Sequence, residues 1–166
     1  IAVRNTGVTY AEPALLLRNL GNGRVLDVTG GAGGALVTPV VARGAAYGDY
    51  DNDGDFDLAI TTSGGPARLL RNDNRTGNGW LRLILVGAPP NTSAFGAVVR
   101  VQVGSRRLTR YVRSGSSYLS QSDRRLLIGL GRARQADAIE IEWPDGRVQS
   151  LGPQRAGTSL VVRQSP

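Results

Sequence analysis

Gly48-Asp49-Tyr50-Asp51-Asn52-Asp53-Gly54-Asp55-Phe56-Asp57-Leu58 decides how the rest of the chain is read. Carboxylates stand at every second position from Asp49 to Asp57, and the segment runs straight into Leu58-Ala59-Ile60-Thr61-Thr62, which has the composition of a strand. A hard cation accounts for that spacing. Calcium takes about six to eight oxygen ligands, and a tight loop delivers them from alternate positions. Gly54 permits the sharp backbone turn. The reading assigns Asp49, Asp51, Asp53 and Asp57 as side-chain ligands and Asp55 as a backbone-carbonyl ligand, so Ca²⁺ is the expected cofactor. An EF-hand needs Glu at the twelfth loop position and a helix on each side, but Ile60 stands there within a strand-like run. Two other readings stay open. One is a solvated acidic turn, which Asp, Asn and Gly all favour. The other is a catalytic carboxylate pair, although carboxylates held by a cation are poor acids or bases.

Outward from the loop, no helical periodicity is sustained, whereas short alternating or β-branched runs recur between turns. Strands are expected over Leu15–Asn19, Val25–Thr29, Leu58–Thr62, Arg68–Asn72, Leu81–Val86, Ala97–Val103, Arg107–Val112, Leu126–Ile128, Ile139–Trp143, Arg147–Leu151 and Ser159–Arg163. Turns such as Gly21-Asn22-Gly23, Gly64-Gly65-Pro66 and Asp145-Gly146 separate them. The expected class is all-β. A weak repeat sets Pro13-Ala14-Leu15-Leu16-Leu17-Arg18-Asn19 against Pro66-Ala67-Arg68-Leu69-Leu70-Arg71-Asn72, a period typical of β arrays. The texture changes near 74–79, which divides the chain into units 1–77 and 78–166.

Composition removes several chemistries. Cys, His, Met and Lys are all absent, so there is no thiolate nucleophile, imidazole base, Schiff-base lysine or ordinary zinc or haem site. An enzyme is not expected. The net charge is +7, yet Arg18, Arg43, Arg71, Arg100 and Arg163 are scattered and no recognition helix or aromatic motif accompanies them. Nucleic acid is therefore not an expected partner. No apolar run reaches the roughly 18 residues that a membrane-spanning helix needs. The sequence begins at Ile1 with no charged-then-apolar leader, as expected of a mature product after signal removal or of a fragment.

Other candidates read blandly. Ile139, Ile141 and Trp143 alternate onto one strand face as core, leaving Glu140 and Glu142 on a solvated face paired with Arg. Gly129-Leu130-Gly131 reads as a tight strand exit and Ser114-Gly115-Ser116-Ser117 as a loop. Asn74-Arg75-Thr76 and Asn91-Thr92-Ser93 fit the N-glycosylation triplet.

The aspartate segment, with Leu17-Arg18-Asn19 and Leu70-Arg71-Asn72 flanking it, resembles the calcium loop of FG-GAP/VCBS repeats, the blade units of integrin-α-type β-propellers. From Asn78 onward the chain resembles the ASPIC/UnbV domain. Its landmarks are Asn78-Gly79-Trp80-Leu81, Leu85-Val86-Gly87 with Asn91, Phe95-Gly96-Ala97, Ser120-Gln121-Ser122, Gly129-Leu130-Gly131 and Trp143-Pro144-Asp145-Gly146. Thr92 stands where that family commonly places Arg. The resemblance implies a propeller-blade-like unit followed by a β-sandwich-like domain, secreted or at the cell surface. It also implies a structural or adhesive role in which calcium stabilises β-structure. One blade cannot close a propeller, so exposed strand edges are expected to pair with identical subunits as a homo-oligomer, polymer or filament, or with a matrix protein. The alternative is a carbohydrate-binding module or polysaccharide-acting enzyme, with Tyr111, Tyr118 or Trp80 meeting a glycan.

Overall fold

Tyr47 and Gly48 pair with Leu58 and Asp57, so the aspartate segment is the connection of an antiparallel hairpin in the computed structural model, which describes residues 9–73 and 76–165. The asparagine of the Asn74-Arg75-Thr76 triplet and the first residues of the expected boundary lie outside the described residues. The chain opens with β1 (Leu17–Gly21) and β2 (Arg24–Asp27), an antiparallel hairpin, followed by a short 3₁₀ turn at Thr29–Gly31 and one helical turn, α1 (Gly34–Val37). The hairpin strands β3 (Ala42–Gly48) and β4 (Asp57–Thr62) then form a three-stranded sheet with β5 (Arg68–Leu70). The expected strand to Thr29 stops at Asp27 because the Asp27 carboxylate accepts from both the backbone and hydroxyl of Thr29 and turns the chain.

Beyond these lie β6 (Gly79–Val86), β7 (Val98–Val103), β8 (Arg106–Tyr111), β9 (Leu126–Gly131), β10 (Gln135–Ala136), β11 (Ala138–Glu142), β12 (Val148–Leu151), β13 (Gln154–Arg155) and β14 (Thr158–Arg163). One sheet has the order β12-β11-β7-β8 and another β14-β6-β9, with β14 parallel to β6. The protein is all-β. Period-2 alternation sends Leu81 and Leu83 of β6, Ile128 and Leu130 of β9, Val99 and Val101 of β7, and Ile139 and Ile141 of β11 into one shared core. Trp143 extends that core, as its place in the alternation leads one to expect, and its indole N–H donates to Gln149 at 3.1 Å. On the opposite face of β11, Glu140 meets Arg100 and Arg107, and Glu142 meets Arg100.

β3 was not anticipated. Its Ala-Arg-Gly-Ala-Ala-Tyr-Gly sequence has low strand propensity, and pairing with β4 imposes the extended form. A Cβ on Gly44 would lie 2.5 Å from Ser120 Oγ, and one on Gly48 would lie 3.2 Å from the Asp123 side chain. These glycines let the Ser120–Asp123 segment lie against the strand. Tyr47 closes the contact, its N–H donating to Ser122 Oγ at 3.2 Å and its carbonyl accepting from Asp123 N–H at 2.9 Å.

Candidate metal centre

The hairpin connection folds inward. Carboxylate oxygens of Asp49, Asp51 and Asp57 come within 4.8 Å of one another, with Asp49 and Asp57 buried and Asp51 exposed. Backbone donors fix two of the three. Asp57 accepts from Tyr50 N–H at 3.1 Å and from Asn72 N–H at 2.9 Å, while Asp49 Oδ2 accepts from Gly54 N–H at 3.0 Å. Two residues adopt the left-handed conformation that this tight path requires, Asn52 at φ 64° and Gly54 at φ 98°.

Of the expected side-chain ligands, Asp53 is not drawn into the cluster. Its Oδ1 accepts from Asp55 N–H at 2.9 Å, an Asx turn that shapes the loop. Asp55 is half-buried, and burial pushes its carboxyl above the ordinary value, reinforced by the charges of Asp53, Asp49, Asp57 and Asp51. Such crowding of negative charge is relieved by a cation.

Asp49 Oδ1 is buried and has no hydrogen-bond partner. A buried carboxylate oxygen without a donor is costly, and Asp49 is one of the three clustered carboxylates. The donor set is all oxygen, the preference of a hard divalent ion. Asp49, Asp51 and Asp57 therefore fit calcium, and Asp53 and Asp55 stand beside them in the same loop.

Two charged partners of the loop, Arg82 and Arg125, were not singled out from the sequence. Arg82 of β6 is buried and donates to Asp49 Oδ2 and, at 3.0 Å, to Ser159 Oγ of β14. Its guanidinium also lies 4.9 Å from the centroid of the Trp80 ring. Trp80 is half-buried beneath Gly54, whose missing side chain would place a Cβ 2.0 Å from the indole nitrogen. This corrects the expectation of Trp80 as an exposed sugar-binding ring. Arg125 donates to the Asp49 carbonyl and to Asn52 Oδ1, both at 2.8 Å, and to the Asp123 carboxylate. Arg82 left one signal in the sequence, a charge in the middle of the apolar run Trp80-Leu81-Arg82-Leu83-Ile84-Leu85.

Beside the loop, a groove of about 510 Å³ is lined by residues including Tyr47, Phe56, Tyr111, Arg110 and Arg113. Tyr111 is 51% exposed with the Arg113 guanidinium 5.4 Å from its ring centroid, and Tyr118 is 66% exposed. Asn91 is less available for modification, because its amide both donates to the Phe95 carbonyl and accepts from Phe95 N–H.

Residues 87–166 match the family model described as ASPIC and UnbV. Over 143 residues, 81% of this chain, the sequence is 29% identical to cartilage acidic protein 1 of Mus musculus and 28% identical to its Homo sapiens counterpart. It is 29% identical over 113 residues to cartilage acidic protein 1 of Xenopus tropicalis. The chain spans only 20% and 19% of the length of the mouse and human relatives. The matched family region begins just after β6, so Arg82 and the aspartate loop both precede it. Among the described residues no helix is long and apolar enough to cross a membrane.

Proposed function

We propose that the chain is a calcium-binding structural and interaction module of a secreted or cell-surface protein, with Asp49, Asp51 and Asp57 holding the ion. One observation carries this reading: Asp49, one of three clustered carboxylates, is buried with its Oδ1 left without a hydrogen-bond partner. The resemblance of Gly48–Leu58 to FG-GAP/VCBS calcium loops supports it. Cartilage acidic protein 1, by its name a protein of cartilage, supports a matrix-type setting for the related chain. In this role the ion does no chemistry. It cancels mutual repulsion among the loop carboxylates and so stabilises the hairpin that carries them.

Exposed apolar side chains on the first sheets favour assembly. Leu17, Leu20, Val25 and Leu26 of the β1–β2 hairpin are all at least half exposed, and Leu69 of β5 is 60% exposed. Strand edges with such side chains are templates for pairing with another copy or with a further segment of a longer protein. Calorimetric titration of the full chain with calcium chloride is expected to show uptake that disappears in Asp57→Asn; no heat of binding at millimolar calcium sinks the reading. Size-exclusion chromatography in calcium and in chelator then reads assembly, which a single monomer peak in both buffers refutes.

Glycan binding is the second reading, favoured by Tyr111 and Arg113 on the groove. Retention of the chain on acidic and neutral polysaccharide gels, compared with Tyr111→Ala, separates it from the first.

A further inference from the structure

We propose that Arg82 is a positioning residue for the cation site, so that ion uptake by the loop and docking of the loop onto the β14-β6-β9 sheet form one coupled equilibrium. This rests on the calcium reading above. β6 faces two ways: Leu81 and Leu83 enter the core, while Arg82 points from the other face into the aspartate loop. There its guanidinium shares Oδ2 of Asp49 with the Gly54 N–H, and Oδ1 is left without a donor. The orientation of the carboxylate is thus set from 33 residues away in sequence, by a side chain that Ser159 and Trp80 hold in turn. Arg125 fixes the same stretch of loop from β9's end through the Asp49 carbonyl and Asn52.

Two physical roles for Arg82 predict opposite signs. A guanidinium that acted only through its charge would repel a divalent ion, and its removal would tighten binding. A guanidinium that orients a ligand strengthens binding, as groups behind metal ligands commonly do. Burial strengthens both effects, and the fixed geometry favours orientation: Asp49 Oδ2 is held by Arg82 and by Gly54 N–H, and Arg82 is held in turn by Ser159 and Trp80. Arg82 and Asp49 are 4% and 2% exposed, so neither side chain has solvent to exchange its partner for. Linkage then makes the effect reciprocal: whatever docking contributes to ion affinity, the ion contributes to docking.

The test compares calcium titrations of the wild-type chain, Arg82→Gln, Arg82→Lys and Arg125→Gln, with hydrogen exchange of the 118–125 segment followed in calcium and in chelator. The expected result is affinity weakened about 10- to 100-fold in Arg82→Gln and less in Arg82→Lys. Calcium should slow exchange at Asp123 in wild type and fail to do so in Arg82→Gln. Equal or tighter binding by Arg82→Gln overturns the positioning role while leaving the calcium reading intact. Absence of uptake by wild type overturns both. Should circular dichroism show Arg82→Gln unfolded, the half-buried Arg125→Gln decides: weaker binding with lost protection supports the coupling, and unchanged binding refutes it.

Discussion

The β1–β2 hairpin and the β7–β11 pair are built from similar material, short antiparallel runs of Val, Leu and Ile, yet they end in opposite surroundings. Val99, Val101, Ile139 and Ile141 are at most 1% exposed, whereas Leu17, Leu20, Val25 and Leu26 are 50% to 61% exposed. Among the described residues before 74, only Leu36 and Ile60 are buried apolar side chains. The later sheets face each other and share a core. Among the described residues the earlier ones share no such core, and the later region meets their aspartate loop through Arg82, Trp80 and Arg125. Burial of apolar surface stabilises one region, and buried polar contacts organise the other.

The contrast can be broken or sharpened by substitution. Asp49→Ala should have the largest effect. It strands Arg82 in a buried site without its carboxylate, costing about 3–5 kcal/mol, and the loss should fall on the first region. Urea denaturation combined with hydrogen exchange checks this; uniform destabilisation of β7 and β11 together with β3 and β4 would show that the regions do not differ. Leu83→Ala comes next, at about 2–5 kcal/mol, because a fully buried side chain leaves a cavity in the shared core. Its mark is an earlier urea midpoint for the buried Trp143, read by fluorescence in a Trp80→Phe background. Leu26→Ser should be smallest, within about 0.5 kcal/mol of wild type for the isolated chain. If Leu26 instead seats against another copy, the same change lowers the apparent mass on size-exclusion chromatography at unchanged monomer stability.

Much of the later region was legible residue by residue. Ile139, Ile141 and Trp143 declare a buried face by alternation, and Glu140 with Glu142 declare its solvated reverse, because side-chain direction in a strand follows the backbone alone. Elements lacking that pattern escaped notice: β3 for its Gly and Ala, and β10 and β13 because two-residue pairs have too little sequence to carry a period. At the candidate site, the acidic spacing marked the loop and three of its residues converge, but Asp53 turned to cap Asp55. Trp80 was mistaken for an exposed ring, since nothing near it in sequence reveals that Gly54 lies on top of it.

By itself the sequence determined the all-β class and the acidic loop, both of which depend on residues within a few positions of one another. Only the tertiary structure decided which carboxylate oxygen is left without a donor, and that a cation on β6 holds its neighbour. The physical reason is that burial turns a surface charge into an obligation to find a partner, and the partner of Asp49 comes from a strand that local pattern cannot bring to it.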